Sequence, residues 1–355
     1  MIFFKSIDWK LNAAIFAIMA AGFLSLLSSA PVLFYKQLFW GVAGFILVFL
    51  IARFDWRFFV NYKSVIFGFY VAAIFLLVAA YFFAPEIRGT KGWLVIGPFH
   101  FQAAEFAKLT AIIFFAYFFS RKHAYISKVS TLAVSFVYFA LPAFLVALQP
   151  DFGSVLVLFF IWFGFLLISG IRWRHLVFSL IIFSFLAAGM WQVVLKDYQK
   201  ERIFGVFFPE MDPLGINYNV IQSKIAIGSA GFFGKGFGQG SQVQLGFLPE
   251  AQTDFIFAAF TEEWGMIAGI FLLVAFAVMV FRIIKIGLAA DNNFSRFVCL
   301  GTVVLLIVQF VLNIGSNLGL TPVIGVTFPF LSYGGSSLLT NFILIGIIQS
   351  VFIRR

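Results

Sequence analysis

Two charged side chains stand in the stretch Phe101-Gln102-Ala103-Ala104-Glu105-Phe106-Ala107-Lys108-Leu109-Thr110. Glu105 and Lys108 lie three positions apart, so a helix carries them on one face. Inside a membrane each such charge costs about 2.5–3.5 kcal/mol on insertion scales and is kept when it pairs or acts. Two readings stand: an internal ion pair that fixes helix packing, or a site for substrate or ion. Asp254 sits where the polar stretch Leu248-Pro249-Glu250-Ala251-Gln252-Thr253 enters the apolar run Phe255-Ile256-Phe257-Ala258-Ala259-Phe260. Partial desolvation there strengthens a carboxylate as a general base. A place just before a helix favours its charged form through the dipole. The two effects oppose each other, and spacing leaves both open. Glu262 and Glu263 lie one or more turns further in, which suggests a polar pocket or a buried network.

Between Gly231 and Gly240 five glycines surround Lys235. A dinucleotide fingerprint would need a strand before it and a βαβ unit around it; neither is present. Glycine-rich backbone with a lysine can approach a phosphate closely. A flexible surface loop explains the same spacing, and spacing alone favours it. Lys224 precedes this loop and suits the same anionic partner; Arg202, Arg88 and Lys91 are further candidate cations. In Gln149-Pro150-Asp151, Pro150 ends one helix and Asp151 can cap the next. The cap suffices as an account of Asp151, with a functional role second. Ser332-Tyr333-Gly334-Gly335-Ser336-Ser337 opens the last apolar run after a Pro- and Gly-broken segment beginning at Asn313. Irregular backbone at membrane depth survives only when packed in protein or lining a wet cavity, so this segment is expected to fold back over a cavity.

The elements that hold these residues follow from composition. Of 355 residues, 63% are apolar and 11% charged, and mean hydropathy is +1.05. Soluble domains are about 45–50% apolar and about 25% charged. There is too little polar side chain to cover a water-facing surface, which excludes a soluble enzyme, a disordered chain and a disulfide scaffold. One cysteine and three histidines make a His/Cys metal cage improbable. A spanning helix needs about 20 apolar residues. Ten such runs are expected, near 11–30, 37–52, 64–84, 102–119, 130–148, 152–170, 175–195, 254–281, 297–316 and 336–353. The first follows Lys5 and Lys10 and ends in Ser28-Ser29-Ala30 like a signal peptide, but the further spans favour a retained helix. The expected fold is an all-α polytopic membrane domain over 1–355, with a large loop, 196–253, before the eighth span.

With a cytoplasmic N-terminus, the inner segments carry Lys5, Lys10, Arg53, Arg57, Lys63, Arg121, Lys122, Lys128, Arg172, Arg174, Arg282, Lys285, Arg296, Arg354 and Arg355. The short outer loops carry only Lys36, Arg88 and Lys91. This is the positive-inside pattern, and it accounts for the net charge of +10 without a nucleic-acid partner. The C-terminus is then also cytoplasmic. The stretches 85–101, 149–151, 196–253 and 317–335 are external, and chemistry is sought there. The inner loops hold no nucleotide-binding motif.

The chain resembles the SEDS family (shape, elongation, division and sporulation) of bacterial peptidoglycan glycosyltransferases. The resemblance rests on FQAAEFAK, QPDFG, GKGFGQGSQVQLGFLPEAQTDF and TPVIGVTFPFLSYGGSS occurring in that order. The loop QSKIAIGSAGFFGKGFGQGSQ is more similar to the elongation branch than to the division branch. Two positions depart from the family pattern: Ala103-Ala104 stand for the usual Pro-Ser, and Gln252 for the usual His. The resemblance implies a catalytic role for Asp254 and an important intramembrane pair in Glu105 and Lys108. It also implies lipid II as substrate and a class B penicillin-binding protein, a transpeptidase, as partner. The expected activity is lipid II polymerisation during cell-wall elongation at the bacterial cytoplasmic membrane, with the active site outside. Glu105, Lys108, Lys224, Lys235, Asp151 and Ser332 are the candidate substrate-binding residues. No cofactor is certain; a divalent cation, magnesium or manganese, can bridge carboxylate and pyrophosphate. The alternative is a transporter that flips a lipid-linked precursor, since broken helices and midplane charges also suit transport.

Overall fold

The computed structural model describes residues 7–57, 62–87, 89–97, 99–122, 128–193, 197–208, 210 and 212–355. Arg88, one of the candidate cations, lies outside them. The chain begins with α1 (Trp9–Ser29), α2 (Pro31–Arg53) and α3 (Lys63–Phe83). A hairpin follows, β1 (Trp93–Ile96) and β2 (Phe99–Gln102), antiparallel with Trp93 opposite Gln102. Then come α4 (Ala103–Lys122), α5 (Val129–Leu148), α6 (Phe152–Ile168) and α7 (Trp173–Val193). The long loop holds α8 (Asp197–Phe207), α9 (Tyr218–Ser229) and the single turn α10 (Ser241–Gln244). The chain ends with α11 (Ile256–Leu288), α12 (Asn293–Leu318) and α13 (Gly335–Ile353).

The helix ends obey local chemistry. Asp8 caps α1 by accepting from Leu11 N at 3.0 Å, and Pro31 opens α2, where its missing N–H costs nothing. Asn292 caps α12 through Ser295 N at 2.8 Å, and Gly319 ends it in the left-handed conformation, φ 72°. Among the described residues, eight helices are long and apolar enough to cross a membrane: α1 to α5 and α11 to α13. This is fewer than the ten expected. α6 has only 17 residues, and the apolar stretch of α7 runs only over Trp173–Phe185. The all-α expectation also needs correcting. Residues 93–102 form a hairpin because a loop between two helices can satisfy its backbone by pairing with itself.

Two hydrophobic cores share α12. One packs α3 to α6 against it; the other gathers α1, α11 and α13 around it. Arg282 of α11 binds the capping carboxylate of Asp8 at 2.5 Å, which ties α11 to the start of α1. α7 hangs at the margin, stacked through Phe183 on Phe159 with ring centroids 3.8 Å apart.

The run expected as the eighth span is not one continuous helix. α11 breaks at Gly265, which has φ 85° and ψ 173°. That region is open essentially to glycine alone. The break frees backbone groups inside the protein, and the glycine-rich loop supplies them. Met266 N and Ile267 N donate to Gly231 O and Phe232 O at 3.0 and 3.2 Å. In return, Lys235 N and Gly236 N donate to Glu262 O and Glu263 O at 2.9 and 3.0 Å. The loop is therefore spliced into the helix by four backbone hydrogen bonds. A Cβ on Gly265 would lie 2.3 Å from Phe232 O, and one on Gly234 would lie 2.2 Å from Glu263 O. Gly265→Ala combines a backbone clash with a forbidden conformation. It is expected to cost about 1–3 kcal/mol from the dihedral alone, read as a lowered melting temperature in detergent. An unchanged melting temperature would show that the splice is not built as described.

Candidate functional site

Asp254 stands two residues before α11, half-buried at the mouth of the short segment that precedes the Gly265 break. Its main chain is gripped from α12. Asn317 Nδ2 donates to Asp254 O at 2.7 Å and Asn313 Nδ2 donates to the same oxygen at 3.1 Å. Both asparagines are buried. The residue at the α11 cap, Phe255, offers no side-chain cap. Asn317 Oδ1 fills that role from another helix by accepting from Ala258 N at 3.1 Å. Beneath them Ala226, Leu248, Ala251, Phe255, Ala258 and Ala259 form a small apolar cluster.

The segment from Thr321 to Gly334 folds back over residues 252–254. Ser332 Oγ donates to Thr253 O at 2.6 Å and accepts from Phe328 N at 2.9 Å. Tyr333 N donates to Gln252 O at 2.9 Å, and burial holds the Tyr333 phenol above its ordinary value. Gln37 of α2 holds the segment from the far side, donating to Ser332 O at 3.0 Å and accepting from Gly334 N at 3.3 Å. Ser332 is thus beside Asp254, but its hydroxyl is engaged with backbone and serves as a clamp. This segment also reaches the hairpin. Ser336 Oγ accepts from Gln102 N at 3.0 Å and donates to His100 O at 3.1 Å.

β2 runs straight into α4 at Ala103, and Ala103 and Ala104 are fully buried. The pair Glu105–Lys108 closes at 2.5 Å, with relative exposures of only 5% and 3%. Glu105 Oε2 is buried without a hydrogen-bond donor among the described residues, so one acceptor of the pair is left over. Asp151 caps α6 through Ser154 N at 3.0 Å, and its second oxygen accepts from Gln102 Nε2 at 3.0 Å. Both oxygens are therefore occupied by structural bonds, as the cap reading expects.

Lys235 does not face an open anion site. Its ammonium lies 2.7 Å from Glu262 Oε1 and 2.8 Å from Ser241 Oγ. Glu262 is fully buried, and the same oxygen accepts from Gln242 N at 3.0 Å. Glu263, also buried, accepts from Ser28 Oγ of α1. The charges inside the span are thus a buried network that locks the loop to the helix break. Lys235→Met would leave the Glu262 carboxylate without its cation, and loss of one partner of a buried pair costs about 3–5 kcal/mol. The partial exposure of Lys235 places the expected loss at about 3 kcal/mol. Lys235→Met combined with Glu262→Gln is expected to refold and to keep activity. A folded but inactive double variant would return Lys235 to the substrate site.

Lys224 is exposed on α9 beside Gly319, in a small cavity also lined by Arg202, Asn217, Thr321 and Val323. Ser223, its neighbour, donates to Asn317 O at 2.9 Å. Among the described residues no three His, Cys, Asp or Glu side chains gather. Asn313, Asn317 and Gln37 are the residues that sequence reasoning did not single out. The one sequence signal is the spacing of Asn313 and Asn317, four apart on one helix and so on one face.

A family model for FtsW, RodA and SpoVE, described as cell cycle protein, matches residues 7–355. The chain is 37% identical over 286 residues to the peptidoglycan glycosyltransferase MrdB of Escherichia coli (strain K12), covering 81% of this chain and 77% of MrdB. It is 36% identical over 321 residues to the stage V sporulation protein E of Bacillus subtilis (strain 168), covering 89% and 86%. It superposes with TM-score 0.82 and 33% identity on a chain from "Structural coordination of polymerization and crosslinking by a peptidoglycan synthase complex", covering 98% and 97%. The rod shape determining protein RodA of Thermus thermophilus matches with TM-score 0.72 and 28% identity, covering 98% and 96%. A match over nearly the whole chain, and an aspartate set at the mouth of a broken span, together lead to one assignment: the chain belongs to the FtsW/RodA/SpoVE family, the SEDS proteins.

Proposed function

We propose that this chain polymerises lipid II into glycan strands, with Asp254 as general base. The observation that carries the reading is the immobilised Asp254 main chain, held by Asn313 and Asn317 at the entrance to the α11 break. It occurs in a chain 37% identical to a peptidoglycan glycosyltransferase. In the step proposed, the Asp254 carboxylate takes the proton of the acceptor sugar hydroxyl. That oxygen forms its bond to the anomeric carbon of the donor. The bond from that carbon to the pyrophosphate oxygen breaks, and undecaprenyl pyrophosphate leaves with the electron pair. A direct displacement of an α-linked leaving group gives a β linkage, so the reaction inverts. Glycosidases need a second carboxyl group as acid because their leaving group is poor. Pyrophosphate leaves once its charge is compensated, and Lys224 and Arg202, which line one small cavity, are the candidate cations.

The topology proposed is ten crossings with both termini cytoplasmic. α6, with 17 residues, sits at the short end of the spanning range, and α7 has 21 residues. The inner basic residues and sparse outer ones support this orientation, which puts Asp254 outside. A class B penicillin-binding protein is the proposed partner. The support is the structural likeness to a chain described within a peptidoglycan synthase complex that coordinates polymerisation and crosslinking.

The test uses purified protein with a partner whose transpeptidase site is inactivated. Incubated with lipid II, it is expected to yield a ladder of glycan chains on a gel. Headgroup movement across liposomes without new glycosidic bonds would replace polymerisation with transport.

A further inference from the structure

We infer that Asn317, assisted by Asn313, is a positioning residue that sets the reach of the Asp254 carboxylate from a different helix. The inference rests on Asp254 being the general base. Three observations carry it. The Asn317 side chain, fully buried, uses both its ends on the segment that bears Asp254. Nδ2 donates to Asp254 O at 2.7 Å, while Oδ1 accepts from Ala258 N at 3.1 Å. One amide thus fixes the residue that leads into α11 and the first turn of α11 in a single rigid unit. Asn313, one turn earlier on α12, donates to Asp254 O at 3.1 Å and to Val326 O at 2.9 Å. It joins the same carbonyl to the segment that folds over the site. Finally, Asn317 is itself pinned: Nδ2 donates to Asn313 O at 2.8 Å and its carbonyl accepts from Ser223 Oγ at 2.9 Å.

The carbonyl that receives these bonds belongs to Asp254, so a shift of that peptide moves the carboxylate with it. Misplacement of a reacting group by about 1 Å can cost about 10²-fold in rate. A residue that only capped α11 would act differently, because any good acceptor at the Asn317 position would replace it.

Asn317→Asp separates the two roles. Aspartate keeps an acceptor for Ala258 N and lacks the donors to Asp254 O and Asn313 O. In the full chain with its transpeptidase-inactive partner and lipid II, Asn317→Asp is expected to melt below the wild-type temperature, because it buries a carboxylate against two carbonyl oxygens, and its rate is read per folded molecule. Its kcat is expected to fall about 10- to 100-fold with KM within about two-fold. Asn317→Ala should lose both stability and kcat. Wild-type kcat in Asn317→Asp would overturn the inference. If Asn317→Asp does not fold, Asn313→Ala carries the same measurement, with a lowered kcat expected at unchanged KM and wild-type kcat overturning it. Asp254→Asn is run alongside. A wild-type rate there removes the base assignment itself, whereas an inactive Asp254→Asn with fully active asparagine variants removes the positioning role alone.

Discussion

Asp254→Asn is expected to leave the fold intact while lowering glycan polymerisation about 10²–10⁴-fold, the range of a positioned general base. The substitution is nearly isosteric. The bonds from Asn313 and Asn317 go to its backbone carbonyl and survive the change. The apolar cluster under it, with Phe255 and Ala258, does not include its side chain. The variant is therefore expected to stay folded, as checked by a cooperative melting transition in detergent. Gel-resolved glycan chains from lipid II give the rate. Polymer at the wild-type rate would remove Asp254 from the chemistry, because no repositioning of the backbone is available to compensate.

The second large effect lies in α4. Glu105→Gln or Lys108→Met alone is expected to cost about 3–5 kcal/mol, since each leaves an uncompensated buried charge. The pair is buried and closed at 2.5 Å. Glu105→Leu with Lys108→Met replaces both charges by apolar side chains of similar size and is expected to recover most of the lost stability. Polymerisation then decides between the two roles of the pair. The unsatisfied Glu105 Oε2 is an acceptor that packing does not use. The double variant is accordingly expected to melt like wild type yet polymerise roughly ten-fold slower or worse. Full activity in the double variant would assign the pair to helix packing alone.

Much of the bundle was legible in the sequence. The run expected at 130–148 is α5 at Val129–Leu148, and that expected at 336–353 is α13 at Gly335–Ile353. A membrane span must satisfy its own backbone and be apolar for about 20 residues, so its ends are written locally. Asp151 as a cap was legible for the same reason, because a cap bond closes within three residues. Lys235 was not. Its partner Glu262 lies far along the chain, and only the splice of the glycine-rich loop into the α11 break brings the two together. The run beginning at 254 reads as one span because glycine is tolerated in membrane helices, and nothing local marks Gly265 as the residue that leaves the helical region.

Hydropathy and local bonds place this chain in a membrane, set where most of its helices begin and end, and put Asp254 at a polar edge. These properties depend on hydropathy and on bonds between near neighbours. The packing of separate helices settles that Lys235 neutralises the buried Glu262, and that Asn313 and Asn317 of α12 grip the Asp254 carbonyl. Such pairings join residues distant in the chain through single hydrogen bonds. Their energy depends on where separate helices come to rest against one another, which no local pattern of residues records.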